Sequence, residues 1–253
     1  MSRILSLSRV AHSYSPGKSP PVFTGVSLEL NQGEFVSLVG PSGTGKSTLF
    51  KLIAGLDEPT SGEIVMSDSP LPAADRLGKV GYMPQKDLLL PWRTVLANCL
   101  LASELSANAK SAYSSAQVRS LLERFGLGQV LHAYPDELSG GMRQRAAFLR
   151  TVATGRPLLL LDEPFGAIDA LTKQDMHRWL LSLWADLGVS VLFITHDLEE
   201  ALLLSDRICI MPTGTDKGLV EVPVTLPRPR SPSIRFEPAF VELRRELEGR
   251  LLG

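Results

Sequence analysis

The stretch Gly40-Pro41-Ser42-Gly43-Thr44-Gly45-Lys46-Ser47-Thr48 combines the small, cationic and hydroxyl residues that hold a polyphosphate. The apolar run Phe35 to Val39 leads in as a strand, and Leu49 to Ala54 leads out as a helix, the context that separates such a loop from a chance match. The glycines let the backbone curl until successive N–H groups form an anion-binding nest. The helix N-terminus behind them adds partial positive charge. Lys46 supplies a full charge for the β and γ phosphates, and the Ser47 hydroxyl is placed to ligate Mg²⁺. A glycine-rich loop with an incidental surface lysine would need neither flank. The expectation is a site for a nucleoside triphosphate.

A second group of reactive side chains closes the run Leu158-Leu159-Leu160-Leu161-Asp162-Glu163. Asp162 is placed to hold the magnesium hydration shell, and Glu163 to polarise a water for in-line attack on the γ-phosphate. Two solvated acids at a strand end are common; shared location argues for more. Ligand sites in open α/β sheets lie beyond the carboxyl ends of strands. The phosphate loop, Asp162-Glu163 and Thr195-His196-Asp197 each follow a predicted buried strand. His196 either serves the structure of its turn or hydrogen-bonds a γ-phosphate oxygen and senses its presence; position alone leaves both open. Asp197 reads as a helix cap with Glu199 and Glu200 in the favourable first turn. Ser139-Gly140-Gly141 opens another predicted helix, Met142 to Thr154, and so offers a second anion site. One γ-phosphate cannot fill both sites, which raises a site completed between two chains. His12, His132 and His177 have no partner spacing and carry no assigned role.

Positioning these groups requires strands that end together. Ile4 to Val10 and Val22 to Leu30 read as strands, and Asn31-Gln32-Gly33 as a hairpin turn into the strand before the phosphate loop. Glu58 to Gly62 reads as a turn before the strand Glu63 to Met66. From Val95 to Phe125 the apolar period turns helical, with Ala107 to Gln117 as an interrupting loop and Gly126 as a C-cap. The near-continuous apolar runs at Leu158 to Leu161 and Val189 to Ile194 suggest strands buried on both faces, hence a parallel sheet covered by helices. Pro223 to Pro232 reads as an extended connector rich in Pro and Arg. Pro238 to Leu252 reads as a short amphipathic helix, either a packing strut or a regulatory element.

Composition narrows the class. A 253-residue chain buries a substantial core, and a net charge of −1 supplies no excess of cations for a nucleic-acid groove. No apolar run approaches the roughly 18 residues of a membrane helix. Met1 to Ser6 carries no apolar core with a cleavage site, so no export signal is expected. Cys99 and Cys209 sit apart in apolar contexts, as small core hydrophobes do. The expectation is a soluble cytosolic protein.

The phosphate loop, Tyr82-Met83-Pro84-Gln85, Leu138 to Gln144, Leu158 to Glu163, Phe165-Gly166-Ala167-Ile168-Asp169 and Thr195-His196-Asp197 occur in the order seen in ABC-transporter ATPase subunits. The resemblance covers about Leu5 to Met211. It implies an α/β fold: a P-loop NTPase (RecA-like) core, an N-terminal antiparallel β subdomain and a helical signature subdomain. One ABC ATPase domain over residues 1–253 follows, parted at about 94, 150 and 212 into β layer with phosphate loop, helical part, catalytic core and tail. By the same resemblance Gly40 to Thr48 bind ATP, and Tyr14 stacks on adenine unless it is simply a strand residue. Gln85 joins Ser47 and Asp162 at Mg²⁺ and couples the site to the membrane subunit. Glu163 is the catalytic base and His196 the γ-phosphate switch. Asp169 communicates across the dimer, and Ser139, Gly140 and Gly141 clamp the partner chain's ATP. Ile168 stands where many members have Leu. Tandem-cassette translation factors and repair proteins with coiled-coil insertions are the soluble alternative, and the chain has neither feature. A small-molecule kinase would leave the Ser139-Gly140-Gly141 turn and the Gln85 segment unexplained.

Lys86 to Val95 and Phe165 to Thr172 are similar to importer ATPases of the nitrate/sulfonate/taurine type, a group that includes carriers of pyrimidine vitamin precursors. The implied partners are a transmembrane permease subunit, a second ATPase subunit, expected to be identical, and indirectly a solute-binding protein, with no nucleic acid. The implied location is peripheral, on the cytoplasmic face of the cell membrane. Leu88, Leu89, Leu90 and Trp92 either dock the permease or pack internally.

Overall fold

The computed structural model describes residues 2–15, 18–66, 69–105, 112–166, 168–214 and 218–252. In chain order the strands are β1 (Arg3–His12), β2 (Phe23–Asn31), β3 (Phe35–Val39), β4 (Ser61–Met66), β5 (Ser69–Pro70), β6 (Gly81–Met83), β7 (Leu158–Asp162), β8 (Ser190–Ile194), β9 (Arg207–Ile210) and β10 (Val220–Pro223). The helices are α1 (Lys46–Ile53), α2 (Ala73–Arg76), α3 (Val95–Cys99), α4 (Leu101–Leu105), α5 (Ser115–Arg124), α6 (Gly140–Val152), α7 (Ala170–Leu187), α8 (Leu198–Leu204) and α9 (Pro238–Leu252). The chain divides into two compact units, residues 1–80 with 189–253, and residues 81–188.

In the first unit, β1 lies between β2 and β4 in an antiparallel sheet ordered β2-β1-β4-β5. Leu5 pairs with Leu30 and Met66, and Leu7 with Leu28 and Ile64, so one face of each strand is apolar and buried. The same unit holds β10-β9-β3-β8, in which β3 runs parallel to both β8 and β9. Every residue of β3 and β8 is buried, including Ser37 and Ser190, as their near-continuous apolar runs lead one to expect.

Asn31-Gln32-Gly33 is not a hairpin. β2 belongs to the antiparallel sheet and β3 to the parallel one, so the turn carries the chain from sheet to sheet. Gly33, at φ 76°, supplies the left-handed step, and its N–H donates to Ser190 Oγ at 2.9 Å.

The Pro- and Arg-rich stretch runs on from β10 without regular structure, as a connector does, but it is anchored to the core. Pro223 ends β10, and Arg230 is only 6% exposed, its guanidinium spread over the backbone carbonyls of Leu202, Ser205, Val224 and Leu226. Burial first, and then the neighbouring Arg228 charge, pull its pKa down to about 10, so it remains cationic at neutral pH. α9 packs its apolar side inward, with Phe240 and Leu247 buried, which favours the packing strut.

In the second unit, β6 and β7 pair in parallel, Tyr82 against Leu160. The expected helical stretch is divided into α3, α4 and α5. Ser114 caps α5 in a capping box with Gln117, so the interrupting loop stops short of Ser115; residues 106–111 lie outside the described residues, as do Pro16, Gly17 and Ala167. α6 begins two residues before its expected start, at Gly140. Cys99 and Cys209 are free and buried, and burial pushes both thiols up to about 12.

Candidate functional site

In the first unit β3 delivers the phosphate loop and β8, its parallel neighbour, delivers His196, so both emerge at the same carboxyl edge. The loop follows β3 directly and feeds α1, whose N-cap Gly45 sits at φ 98°. A Cβ at Gly45 would meet Phe23 Cδ1 at 2.6 Å and Val22 Cγ1 at 2.7 Å, and one at Gly40 would strike the Met211 carbonyl. Gly43, at φ 85°, adds a third left-handed step. Gly40 and Gly45 thus have no room for a side chain, and the left-handed backbone at Gly43 disfavours one. Lys46 is buried, and its ammonium donates to the Gly40 and Pro41 carbonyls at 2.8 Å each. The cation is thereby held inside the curl of the loop. Thr44 Oγ1 closes the curl by donating to the Pro41 carbonyl at 3.0 Å. Ser42, Ser47 and Thr48 complete the segment, and Ser47 lies in the first turn of α1.

Tyr14 lies past the end of β1 and is therefore not a strand residue. The residue is 61% exposed; its ring stands edge-on to His12 at 4.9 Å and is tethered by its hydroxyl to Thr48 Oγ1 at 2.9 Å. An exposed aromatic face fixed beside the loop's last residue suits stacking on a planar base.

His196 is exposed between β8 and α8, not a core histidine. Around it the turn is tightly specified. Thr195, which is buried, donates from Oγ1 to Glu200 at 2.5 Å and accepts from the Asp197 N–H at 3.0 Å. Asp197 caps α8, accepting from the N–H groups of Glu199 and Glu200.

In the second unit β7 ends in Asp162, which is 4% exposed, and Glu163 follows at φ 46°. That conformation is costly for a residue with a Cβ and swings the carboxylate out of the line of the strand. The Gln85 amide donates to Glu163 Oε2 at 3.1 Å, so the segment leaving β6 touches the acid leaving β7. Asp162 acts on Tyr82 in turn: burial first, then the Asp162 charge, pushes that phenol up to about 12.

Ser139 caps α6, accepting from the Met142 N–H at 3.3 Å, and Ser139 and Gly140 lie exposed at the helix start. Asp169 caps α7 through the N–H groups of Leu171 and Thr172. Hydrogen bonds from Thr172, by side chain and then backbone, hold its carboxyl below the usual range. A Cβ at Gly141 would meet Thr172 Cγ2 at 2.8 Å, so this glycine is also where α6 approaches α7. One contact was not foreseen in the sequence: Gln144 donates from its amide to the Pro164 carbonyl, tying the helix opened by Ser139 to the turn after Glu163. Its place in the Leu138 to Gln144 motif marked the residue, but nothing local marks the partner.

The segment Gln85 to Val95 splits the two readings of its leucines. Leu89 is buried, whereas Leu88 and Trp92 are 57% and 71% exposed. The buried Asn98 binds both backbone groups of Leu90 and the carbonyls of Arg93 and Thr94, and Arg150 donates to the carbonyls of Asp87 and Leu88. A backbone held this firmly presents Leu88 and Trp92 outward. Arg93 is engaged internally, pairing with Glu104 at 2.5 Å.

Among the described residues no group of three or more His, Cys, Asp or Glu side chains could hold a metal. Ser47 in the first unit, and Asp162 and Gln85 in the second, each carry an oxygen of the kind that a hard cation such as Mg²⁺ takes.

Residues 23–166 match the family described as ABC transporter. The chain is 43% identical over 251 residues to the formylaminopyrimidine import ATP-binding protein ThiZ of Halalkalibacterium halodurans, covering 98% of this chain and 96% of that one. It is 40% identical over 227 residues to the nitrate import ATP-binding protein NrtD of Synechococcus elongatus, covering 87% and 81%. The dimeric structure of MJ0796, a bacterial ABC transporter cassette, superposes with a TM-score of 0.73 at 29% identity, over 88% of this chain and all of that one. A second MJ0796 dimer, in a post-hydrolysis state bound to ADP and Pi, gives a TM-score of 0.72 at 28% identity over 88% of this chain and all of that one.

Proposed function

The chain belongs to the ABC transporter family as an ATP-binding ATPase subunit, and from that premise we propose that it drives a membrane importer of a small solute. The proposed cargo class is nitrate, sulfonate, taurine or a pyrimidine vitamin precursor; relatives named for nitrate and for formylaminopyrimidine import support the first and the last. Two copies, each a single ABC ATPase domain, act on the cytoplasmic face beside a transmembrane permease that receives its solute from a binding protein. The dimeric cassettes it resembles support the pairing.

In this reading Gly40 to Thr48 wrap the phosphates, with Lys46 turning from its own loop carbonyls to the β and γ oxygens. Tyr14 stacks on adenine. Ser47, Asp162 and Gln85 hold Mg²⁺, which when bound offsets phosphate charge and fixes its orientation. Glu163 accepts the proton of the attacking water, and His196 hydrogen-bonds the γ-phosphate. Ser139, Gly140 and Gly141 close on the partner's ATP, and Asp169 reports across the dimer.

The observation that carries the coupling is the Gln85–Glu163 hydrogen bond, because it links the segment bearing exposed Leu88 and Trp92 to the catalytic base. The test is affinity capture of the full chain from membranes, followed by reconstitution. A multi-span permease that co-purifies and stimulates ATP turnover is the expected result. Full turnover by the chain alone, with no membrane protein captured, would favour a soluble ABC ATPase instead.

A further inference from the structure

α8 is seven residues long, too short to persist without tertiary support. His196 stands just before its N-cap, so the angle and register of α8 set where the imidazole points. Both ends of this helix are held by the C-terminal tail. At the far end Arg230 donates to the Leu202 carbonyl at 2.9 Å and to the Ser205 carbonyl, while Arg228 donates to the Leu204 carbonyl at 2.7 Å. Two guanidinium groups thus meet the orphan carbonyls of a helix C-terminus, where cations are most favourable. Arg228 also grips Asp206 Oδ1 at 2.8 Å, and Asp206 Oδ2 accepts from the Phe35 N–H that opens β3. Ser205, the C-cap, contacts Ser37 of β3 through its hydroxyl. At the near end Glu199, in the first turn, pairs with Arg244 of α9 at 2.7 Å.

We propose that the tail is a clasp for the switch histidine: Arg228 and Arg230, with Arg244, are positioning residues that fix α8 against β3 and so set His196. The inference rests on the γ-phosphate role given to His196 above. The planar fork matters as much as the charge, because Arg230 serves the carbonyls of α8 and those of Val224 and Leu226 at once.

The test uses the full-length chain with ring-labelled histidine, whose four residues give four NMR signals assignable by single substitutions. Arg230→Lys keeps the charge and loses the fork. It should move the His196 signal while leaving those of His12 and His132 in place. Nucleotide affinity should stay within about twofold and turnover should fall roughly tenfold, the scale of a small misplacement. Added to His196→Ala, it should cost nothing further. Should Arg230→Lys not fold, the part-exposed Arg244→Met carries the same readout. An unmoved His196 signal in a folded variant, equal movement of all four signals, or additive losses would overturn the clasp. Undiminished turnover in His196→Ala would instead remove the γ-phosphate role, leaving the ring signals to decide the clasp by themselves.

Discussion

If Lys46 holds ATP and Glu163 cleaves it, as proposed, their substitutions should fail in different ways. Glu163→Gln keeps the size of the side chain and its hydrogen-bonding reach to Gln85 but cannot accept a proton. Turnover should fall roughly 10²- to 10⁴-fold, the range for losing a general base, with ATP binding retained; near-normal hydrolysis would remove Glu163 from the role. Lys46→Ala deletes a charge-assisted contact worth roughly 1.5–3 kcal/mol, so affinity itself should drop about ten- to a hundredfold in a nucleotide titration. Both residues were legible in the sequence because each sits in a contiguous motif whose flanking strand is part of the signal. Arg230 and the partner of Gln144 were not. A buried arginine looks like a solvated one until the carbonyls it serves, up to 28 positions away, come into view.

At the scale of elements, two glycines of the Ser139 turn behave differently. Gly141 lies against Thr172, so even alanine there would push α6 from α7, and a loss of activity would have a packing explanation. Gly140 has only Ile168 Cγ2 nearby, at 4.0 Å. Gly140→Asp should therefore fold normally, bind ATP as a monomer and fail to hydrolyse it, since its carboxylate would repel the partner's γ-phosphate. A matching fall in monomer affinity would assign the turn to its own chain's nucleotide. Gly45→Ala should act by another route: φ 98° and the contacts with Phe23 and Val22 cost roughly 1–3 kcal/mol, read as a lower melting temperature with impaired nucleotide binding. Strands and helices were mostly visible in their apolar periods. The turn at Asn31 to Gly33 was misread because its local chemistry is the same whether the next strand pairs back or joins another sheet.

For the whole molecule, coupling to transport should depend on the exposed side chains of the 85–95 segment. Trp92→Ala removes the largest of them without touching the Asn98 and Arg150 bonds that hold the backbone, whereas Arg93→Ala would break an internal ion pair. The variant should bind ATP normally yet lose permease stimulation and uptake in reconstituted vesicles, by at least about fivefold if Trp92 is an anchor. Unchanged assembly and uptake would return this surface to solvent.

If two chains complete each ATP site, as proposed, sedimentation of Glu163→Gln with and without Mg-ATP will reveal the pairing. A dimer at twice the 27.5 kDa chain mass should form only with nucleotide, and should vanish when Gly140→Asp is added. A Glu163→Gln chain saturated with ATP that still sediments as a monomer would rule out a site shared between two chains.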